Sequence, residues 1–469
     1  MMKRQIPVYE PATGEVLAYV PDMSINEVRD AIDKAYDALP RIQSIPAYER
    51  ARLLMKVAQA IRARKEELAR LLTREIGRPI KSTRLIMERT ARIYELAAQE
   101  LPHVLTGEFI PLEAYDYPAG NENRIAFIRR EPVGVVGAIT PFNFPPDSMA
   151  HKVAPALAMG NTVVLKPSRN SPLTETEIAK VITEVGFPDG SINVVTGDSS
   201  MIGDEFINNP KVSLITFTGS SKVGLDLASK AILRGKRVIM ELGGSDAMII
   251  LEDADLNKAA QAATVGRFDY AGQFCNATKR LIVRNEVYDE FIRRFIENVS
   301  RLKIGDPLSE DTDVGPLISK EAVESMESYV NDALSKGGRI IYRASRIPER
   351  GFYYPPTILE APFDAAVWVE EVFGPVLPVA RVKDDEEAVE IANRTEYGLD
   401  ASIFTRDFSR AYRLATRIKA GTIFINDTTR LRFDNLPFGG FKKSGIGRES
   451  VKDTMMEMSE VKVISYALK

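Results

Sequence analysis

The chain has 469 residues, 45% of them hydrophobic and 27% charged, which is the balance of a globular protein too long for a single core and suited to two or three domains. Lys and Arg (62) nearly match Asp and Glu (65), so a net charge of −3 leaves no basic surplus for nucleic acid or an anionic membrane. One cysteine excludes an intrachain disulfide and a cysteine-based metal site, and neither histidine, His103 nor His151, lies in a metal or triad motif.

The opening MMKRQIPVYEPATGE has no apolar core that could serve as a signal peptide, and no run of about 18 apolar residues predicts a membrane span, so the cytoplasm is the expected compartment. Ser24 and Glu27 have capping-box spacing ahead of 25–39. Leu54, Val57, Ala58 and Ile61 then fall at helical spacing, and residues 24–100 are predicted to be helical. Pro118, Gly120 and Asn121 mark a turn before the alternating run Arg124 to Arg130, a candidate hairpin over 114–131. From 133 onward short β-branched runs alternate with helical stretches: 133–139, 162–165, 192–195, 213–217, 237–240 and 246–251. These runs are apolar on both faces, which predicts buried parallel strands with crossover helices. A second strand–helix series runs from about 278 to 430, and Val461 to Leu468 reads as a terminal strand. The hairpin and the last strand suit pairing of subunits by strand addition, or are plain surface elements.

Cys275 lies in AGQFCNATKR. A lone cysteine is more often a small buried hydrophobe, but this one follows a Gly-Gln-Phe turn and precedes the polar Asn276 and Thr278. A thiolate there can attack a carbonyl carbon, given a base and an oxyanion site. Glu241 opens ELGGS after the strand 237–240, where burial would raise a carboxyl toward the range of a general base; the alternative is a loop glutamate. Asn143, in TPFNFP, is either a rigid oxyanion donor or an Asx turn. In FTGSSKVG, Gly219 permits close backbone approach and Ser220 can donate to a phosphate at a helix N-terminus, although GxGxxG is absent. Lys166 ends TVVLK at the edge where parallel sheets bind ligands.

Each motif is modest alone. Their order, TPFNFP, NTVVLKPS, FTGSSKVG, ELGGS, GQFC, EEVFGPV and PFGGFKKSGIGRE, with PATGE near the start, resembles the aldehyde dehydrogenase superfamily along nearly the whole chain. The resemblance implies an α/β fold in three parts. A Rossmann-like cofactor domain would comprise 1–113 and 133–242, and an α/β catalytic domain 243–442. A β oligomerisation element would comprise 114–132 and 455–469, joining subunits into dimers or tetramers. It implies Cys275 as nucleophile, Asn143 as oxyanion donor with the Cys275 N–H, and Glu241 as the base that activates water. It further implies Lys166 on the adenosine ribose, Gly219 and Ser220 at the pyrophosphate, and Glu371 on the nicotinamide ribose beside Phe373 and Phe142. No metal is implied.

Departures from the family pattern refine this. Many NAD-using relatives carry a glutamate where this chain has Arg169; an arginine can pair with a 2′-phosphate, and Ser168 adds a donor, so NADP is expected to be preferred with NAD possible. Glu241 favours hydrolysis to the free acid over the CoA-acylating alternative. Phe274 stands where glyceraldehyde-3-phosphate enzymes often place an arginine, which weakens a phosphorylated substrate. Arg430 and Arg432, in NDTTRLRFDNLPFGG, could meet a hydroxyl, carboxylate or phosphonate, or be surface arginines paired with Asp427 or Asp434. The expectation is oxidation of a small aldehyde, lactaldehyde or glyceraldehyde, with glyceraldehyde-3-phosphate or succinate semialdehyde as alternatives. A non-catalytic protein on this fold is disfavoured because it would need none of Cys275, Asn143, Glu241 and Glu371.

Overall fold

The computed structural model describes residues 4–468. A two-stranded sheet, Gln5–Glu10 against Glu15–Pro21, opens the chain. Four helices follow: Ile25–Ser44, Ala47–Ala63, Lys65–Ile76 and Ile80–Leu105. The first begins on the expected capping box, in which the Ser24 hydroxyl and the Glu27 carboxylate each satisfy the other's backbone N–H. Leu54, Val57, Ala58 and Ile61 are buried, as their spacing requires.

The sequence's apolar runs form a six-stranded sheet ordered Gly445–Ile446, Arg237–Glu241, Val212–Thr218, Val135–Ile139, Thr162–Lys166, Ile192–Val194. The last five are mutually parallel, and only the short return strand Gly445–Ile446 runs antiparallel. Strand order reverses on either side of Val135–Ile139, so a crevice opens there at the carboxyl ends. The helices Ala47–Ala63, Lys65–Ile76 and Ile80–Leu105 and the helix Pro145–Met159 share one core with this sheet, while Ile25–Ser44, Ser199–Asn208 and Ser221–Ile232 pack with it in another.

A seven-stranded sheet is ordered Arg339–Arg343, Thr357–Glu360, Val376–Val382, Thr278–Arg284, Asp246–Ile250, Asp400–Phe404, Thr422–Ile425, parallel except at its first edge. The run at 246–251, which reads as a continuation of the first sheet, belongs to this second one. A separate three-stranded sheet pairs Ser459–Ala467 with Arg124–Pro132, and Arg124–Pro132 with Glu108–Ile110. Its first strand therefore lies upstream of the hairpin expected from 114, because the segment 111–123 is turn and 3-10 structure rather than strand. Among the described residues no helix is long and apolar enough to cross a membrane.

Candidate active site

Parallel strands all end on one side, and that places the first group of candidates. The adjacent strands finish at Lys166, at Ile139 (with Asn143 four residues on), at Thr218 (followed by Gly219 and Ser220) and at Glu241. The second sheet faces them with its starting ends: Cys275 comes just before Thr278–Arg284, and Glu371 and Phe373 come before Val376–Val382. Between the two sheets lies one cavity of 550 Å³, lined by Phe142, Asn143, Lys166, Ser168, Arg169, Gly219, Ser220, Glu241, Cys275, Glu371, Phe373, Arg430 and Arg432. Every candidate read from the sequence lines it except Phe274, which is wholly buried behind it.

The thiol sits on a tightly specified turn. Tyr270, Ala271 and Gly272 have φ of 46°, 51° and 72°, and a left-handed pair of non-glycine residues is a strained element that the surroundings must hold. Gln273 does part of that holding, donating to the Tyr270 and Pro316 carbonyls and accepting from the Ile318 N–H. Asn276 and Thr429 are tied reciprocally, Asn276 Nδ2 to the Thr429 carbonyl and Thr429 Oγ1 to the Asn276 carbonyl, each at 2.7 Å. Asn276 and Thr278 are buried, so the polar flank of Cys275 is not a sign of exposure, contrary to its reading in the sequence. Burial pushes the thiol up to about 12, opposed by the charges of Lys279 and Arg432 and reinforced by Glu371 and Asp246.

Asn143 makes no Asx turn. Its Nδ2 donates one hydrogen to the Gln273 carbonyl at 2.9 Å, which orients the amide beside the thiol turn and leaves the second hydrogen. The Cys275 N–H meets no acceptor among the described residues. Both oxygens of Glu241 are buried without a hydrogen-bond partner, and burial, then the charge of Glu449, holds its carboxyl well above the ordinary range. Glu449 itself stays ionised, 2.6 Å from Lys152 and 2.8 Å from Arg432, in an almost dry environment.

The other end of the cavity suits a dinucleotide. Ser220 caps the helix Ser221–Ile232, whose open N–H groups and positive end favour a phosphate. Gly219 is needed where it stands, since a Cβ would come within 2.6 Å of the Phe217 ring. Lys166 is buried at its strand end, and that burial lowers its pKa. Arg169 is exposed at the rim and makes no ion pair among the described residues. Phe142 and Phe373 meet edge to face at 5.8 Å.

Arg430 and Arg432 are not surface arginines, and their partners are neither Asp427 nor Asp434. Arg430 reaches Asp269 at 2.9 Å and lies 3.4 Å above the Phe274 ring; Arg432 pairs with Glu449 and stacks on Phe438. Asp434 is taken by Arg89 at 2.6 Å and by His151 Nε2 at 3.0 Å. Arg89, which the sequence reading passed over, also lines the cavity; it sits in the middle of a helix with no motif around it.

The cleft between two mostly parallel sheets has a thiol on one wall and an open helix N-terminus on the other, an arrangement that suits a nucleotide-using oxidoreductase. The chain matches the aldehyde dehydrogenase family over residues 1–464, and it belongs to that family. It is 42% identical to the lactaldehyde dehydrogenase of Methanocaldococcus jannaschii over 466 residues, covering 98% of this chain and 97% of that one. It is 38% identical to a 3-sulfolactaldehyde dehydrogenase of Priestia aryabhattai over 460 residues, 98% and 94% of the two chains. Among solved structures it superposes on the glyceraldehyde-3-phosphate dehydrogenase GapN of M. jannaschii, complexed with NADP, with a TM-score of 0.93 at 42% identity over 100% of both chains. The protein is an NAD(P)-dependent aldehyde dehydrogenase with the α/β fold of that family.

Proposed function

We propose that the protein oxidises a short 2-hydroxyaldehyde, such as lactaldehyde or glyceraldehyde, to its acid, with NADP preferred over NAD. The observation that carries this reading is the single cavity that joins Lys166, Arg169 and Ser220 at one end to Cys275, Asn143 and Glu241 at the other, with Arg430 and Arg432 beside them. The names of the relatives, which act on lactaldehyde, 3-sulfolactaldehyde and glyceraldehyde-3-phosphate, support a small oxygenated aldehyde. Lys166 holds the adenosine ribose, Ser220 and the helix end the pyrophosphate, and Glu371 the nicotinamide ribose. Arg169 pairs with a 2′-phosphate. When bound, the cofactor supplies the hydride acceptor.

Cys275 loses its proton to solvent and attacks the aldehyde carbon as the thiolate. The free hydrogen of Asn143 and the Cys275 N–H stabilise the resulting oxyanion. Loss of hydride leaves a thioester on Cys275. Glu241, whose carboxyl burial holds well above its ordinary range, then takes a proton from water, and the resulting hydroxide adds to the thioester and releases the acid and the Cys275 thiolate. The free acid rather than a CoA ester is the product because that base is present.

A second reading gives the aldehyde an anionic tail. The buried Arg78 and Lys152 and the half-buried Arg89, Arg430 and Arg432 face Asp147, Asp269, Asp434 and Glu449, five positive charges against four negative. The Nε atoms of Arg430 and Arg432 are buried and without acceptors. A carboxylate, sulfonate or phosphate on the substrate would complete that balance.

We assign 1–113 and 133–242 to cofactor binding, 243–442 to catalysis, and 114–132 with 455–469 to assembly. The outer strand Ser459–Ala467 has an unpaired edge and exposes Val461, Val463, Ile464 and Tyr466, which favours a homo-oligomer. A nucleophilic free thiol suits a reducing compartment such as the cytoplasm.

The test follows NADP and NAD reduction with lactaldehyde, glyceraldehyde, glyceraldehyde-3-phosphate, succinate semialdehyde and phosphonoacetaldehyde. Faster turnover of the neutral hydroxyaldehydes supports the first reading; a preference for the anionic ones replaces it with the second. Cys275→Ala is expected to lower turnover by a factor of about 10⁴ or more. Turnover only in the presence of CoA would overturn the assigned role of Glu241.

A further inference from the structure

Lys279 is fully buried and lies behind the cavity wall rather than in it. It starts from the strand Thr278–Arg284, whose Leu281, Ile282 and Val283 pack into the core of the seven-stranded sheet. Its ammonium donates to the backbone carbonyl of Cys275 at 2.6 Å and to Glu371 Oε1 at 2.8 Å, and it sits 5.7 Å from the centre of the Phe373 ring. The loop 242–244 threads the same space. The Gly244 N–H donates to Glu371 Oε1 at 3.1 Å, a Cβ on Gly243 would overlap Glu371 Oε2, and one on Gly244 would lie 2.6 Å from the Cys275 carbonyl oxygen. A carboxylate on the cofactor side of the cavity and the backbone of the thiol residue are thus held by one ammonium.

We propose that Lys279 is a positioning residue that couples the Glu371 carboxylate to the thiol of Cys275. This rests on the reading of Cys275 as nucleophile and Glu371 as a cofactor ligand. A buried lysine commits its charge to fixed partners, and here that charge lies close enough to favour the thiolate while its hydrogen bonds fix the turn that carries it. Four charges bear on the thiol: Lys279 and Arg432 favour the thiolate, and Glu371 and Asp246 oppose it. Arg432 is already engaged with Glu449, whereas Lys279 answers Glu371, so removing either member of the Lys279–Glu371 pair shifts the thiol in opposite directions.

The experiment is the rate of iodoacetamide alkylation of Cys275 against pH, without cofactor or substrate, in the wild-type protein and in Lys279→Met, Lys279→Arg and Glu371→Gln. Lys279→Met is expected to raise the midpoint by about one pH unit and slow alkylation about tenfold at neutral pH, Lys279→Arg to restore most of it, and Glu371→Gln to lower the midpoint. A Lys279→Met profile that superposes on the wild type overturns the proposal. If Lys279→Met fails to fold, the Glu371→Gln profile decides: a lowered midpoint supports the coupling and an unmoved one overturns it. A wild-type thiol inert at every pH would overturn the nucleophile reading itself, an outcome distinct from a reactive thiol with unmoved midpoints.

Discussion

At the strand ends that carry Lys166, Gly219 and Ser220, the donors are left open: a helix N-terminus, and at the rim an arginine with no carboxylate beside it. At the opposite end of the cavity the cations already have carboxylate partners, Arg430 with Asp269, Arg432 and Lys152 with Glu449, Arg89 with Asp434. The difference follows from who brings the counter-charge. On the proposed assignment, the dinucleotide brings its own phosphates, so this end stays unpaired until it binds, and substitutions there alter affinity. The far wall has to hold its charges through folding, so substitutions there alter stability first.

The sharpest way to break this contrast is Lys152→Met. The ion pair with Glu449 is dry on both sides, and removing one partner of such a pair costs about 3–5 kcal/mol. Thermal unfolding or urea titration should show that loss; an unchanged Tm would mean that the matched end is not a folding element. Next in size is His151. Burial holds it down at about 4 against its ordinary 6.5, so between those values the unfolded chain takes a proton that the folded one refuses. Its contribution is therefore complete above pH 6.5 and is lost as pH falls toward 4, about 3 kcal/mol in all. Urea midpoints at pH 4.5, 5.5 and 6.5 should fall steeply in the wild type, and less steeply in His151→Gln.

At the open end, Arg169→Glu is expected to lower kcat/KM for NADP about tenfold or more, and to leave NAD and the unfolding temperature almost unchanged. An equal loss with both cofactors would remove the 2′-phosphate from its assigned partner. The smallest effect bridges the two ends. Arg432 lowers the Glu241 pKa, so Arg432→Met should move the acid limb of the hydrolytic step upward by about half a pH unit, read in single-turnover acid release.

Much of this arrangement is legible in the linear sequence where the signal is local. The Ser24 capping box, the doubly apolar strands and the residues just past their ends need only short-range periodicity and the rule that parallel strands end together. What stays hidden depends on distant neighbours. Arg430 is three residues from Asp427 in sequence but bonds Asp269, which is 161 positions away, and no local pattern announces that choice. Phe274 occupies a position where an arginine was the informative alternative, yet it acts as a shelf beneath Arg430. The left-handed Tyr270 and Ala271 carry no glycine signature, so the strained turn before the thiol is invisible until the chain is folded. The second sheet's claim on 246–250 is equally non-local, since one buried apolar strand reads like any other.

The pair Gly243 and Gly244 carries a consequence for variation. Neither takes part in bond making, yet each leaves room in which a single methyl group would strike Glu371 or the carbonyl of Cys275. In a saturation library selected for growth on the substrate, Gly244, which faces fixed backbone, should lose even with alanine, whereas Gly243, which faces the end of the Glu371 side chain, should be the more permissive of the two.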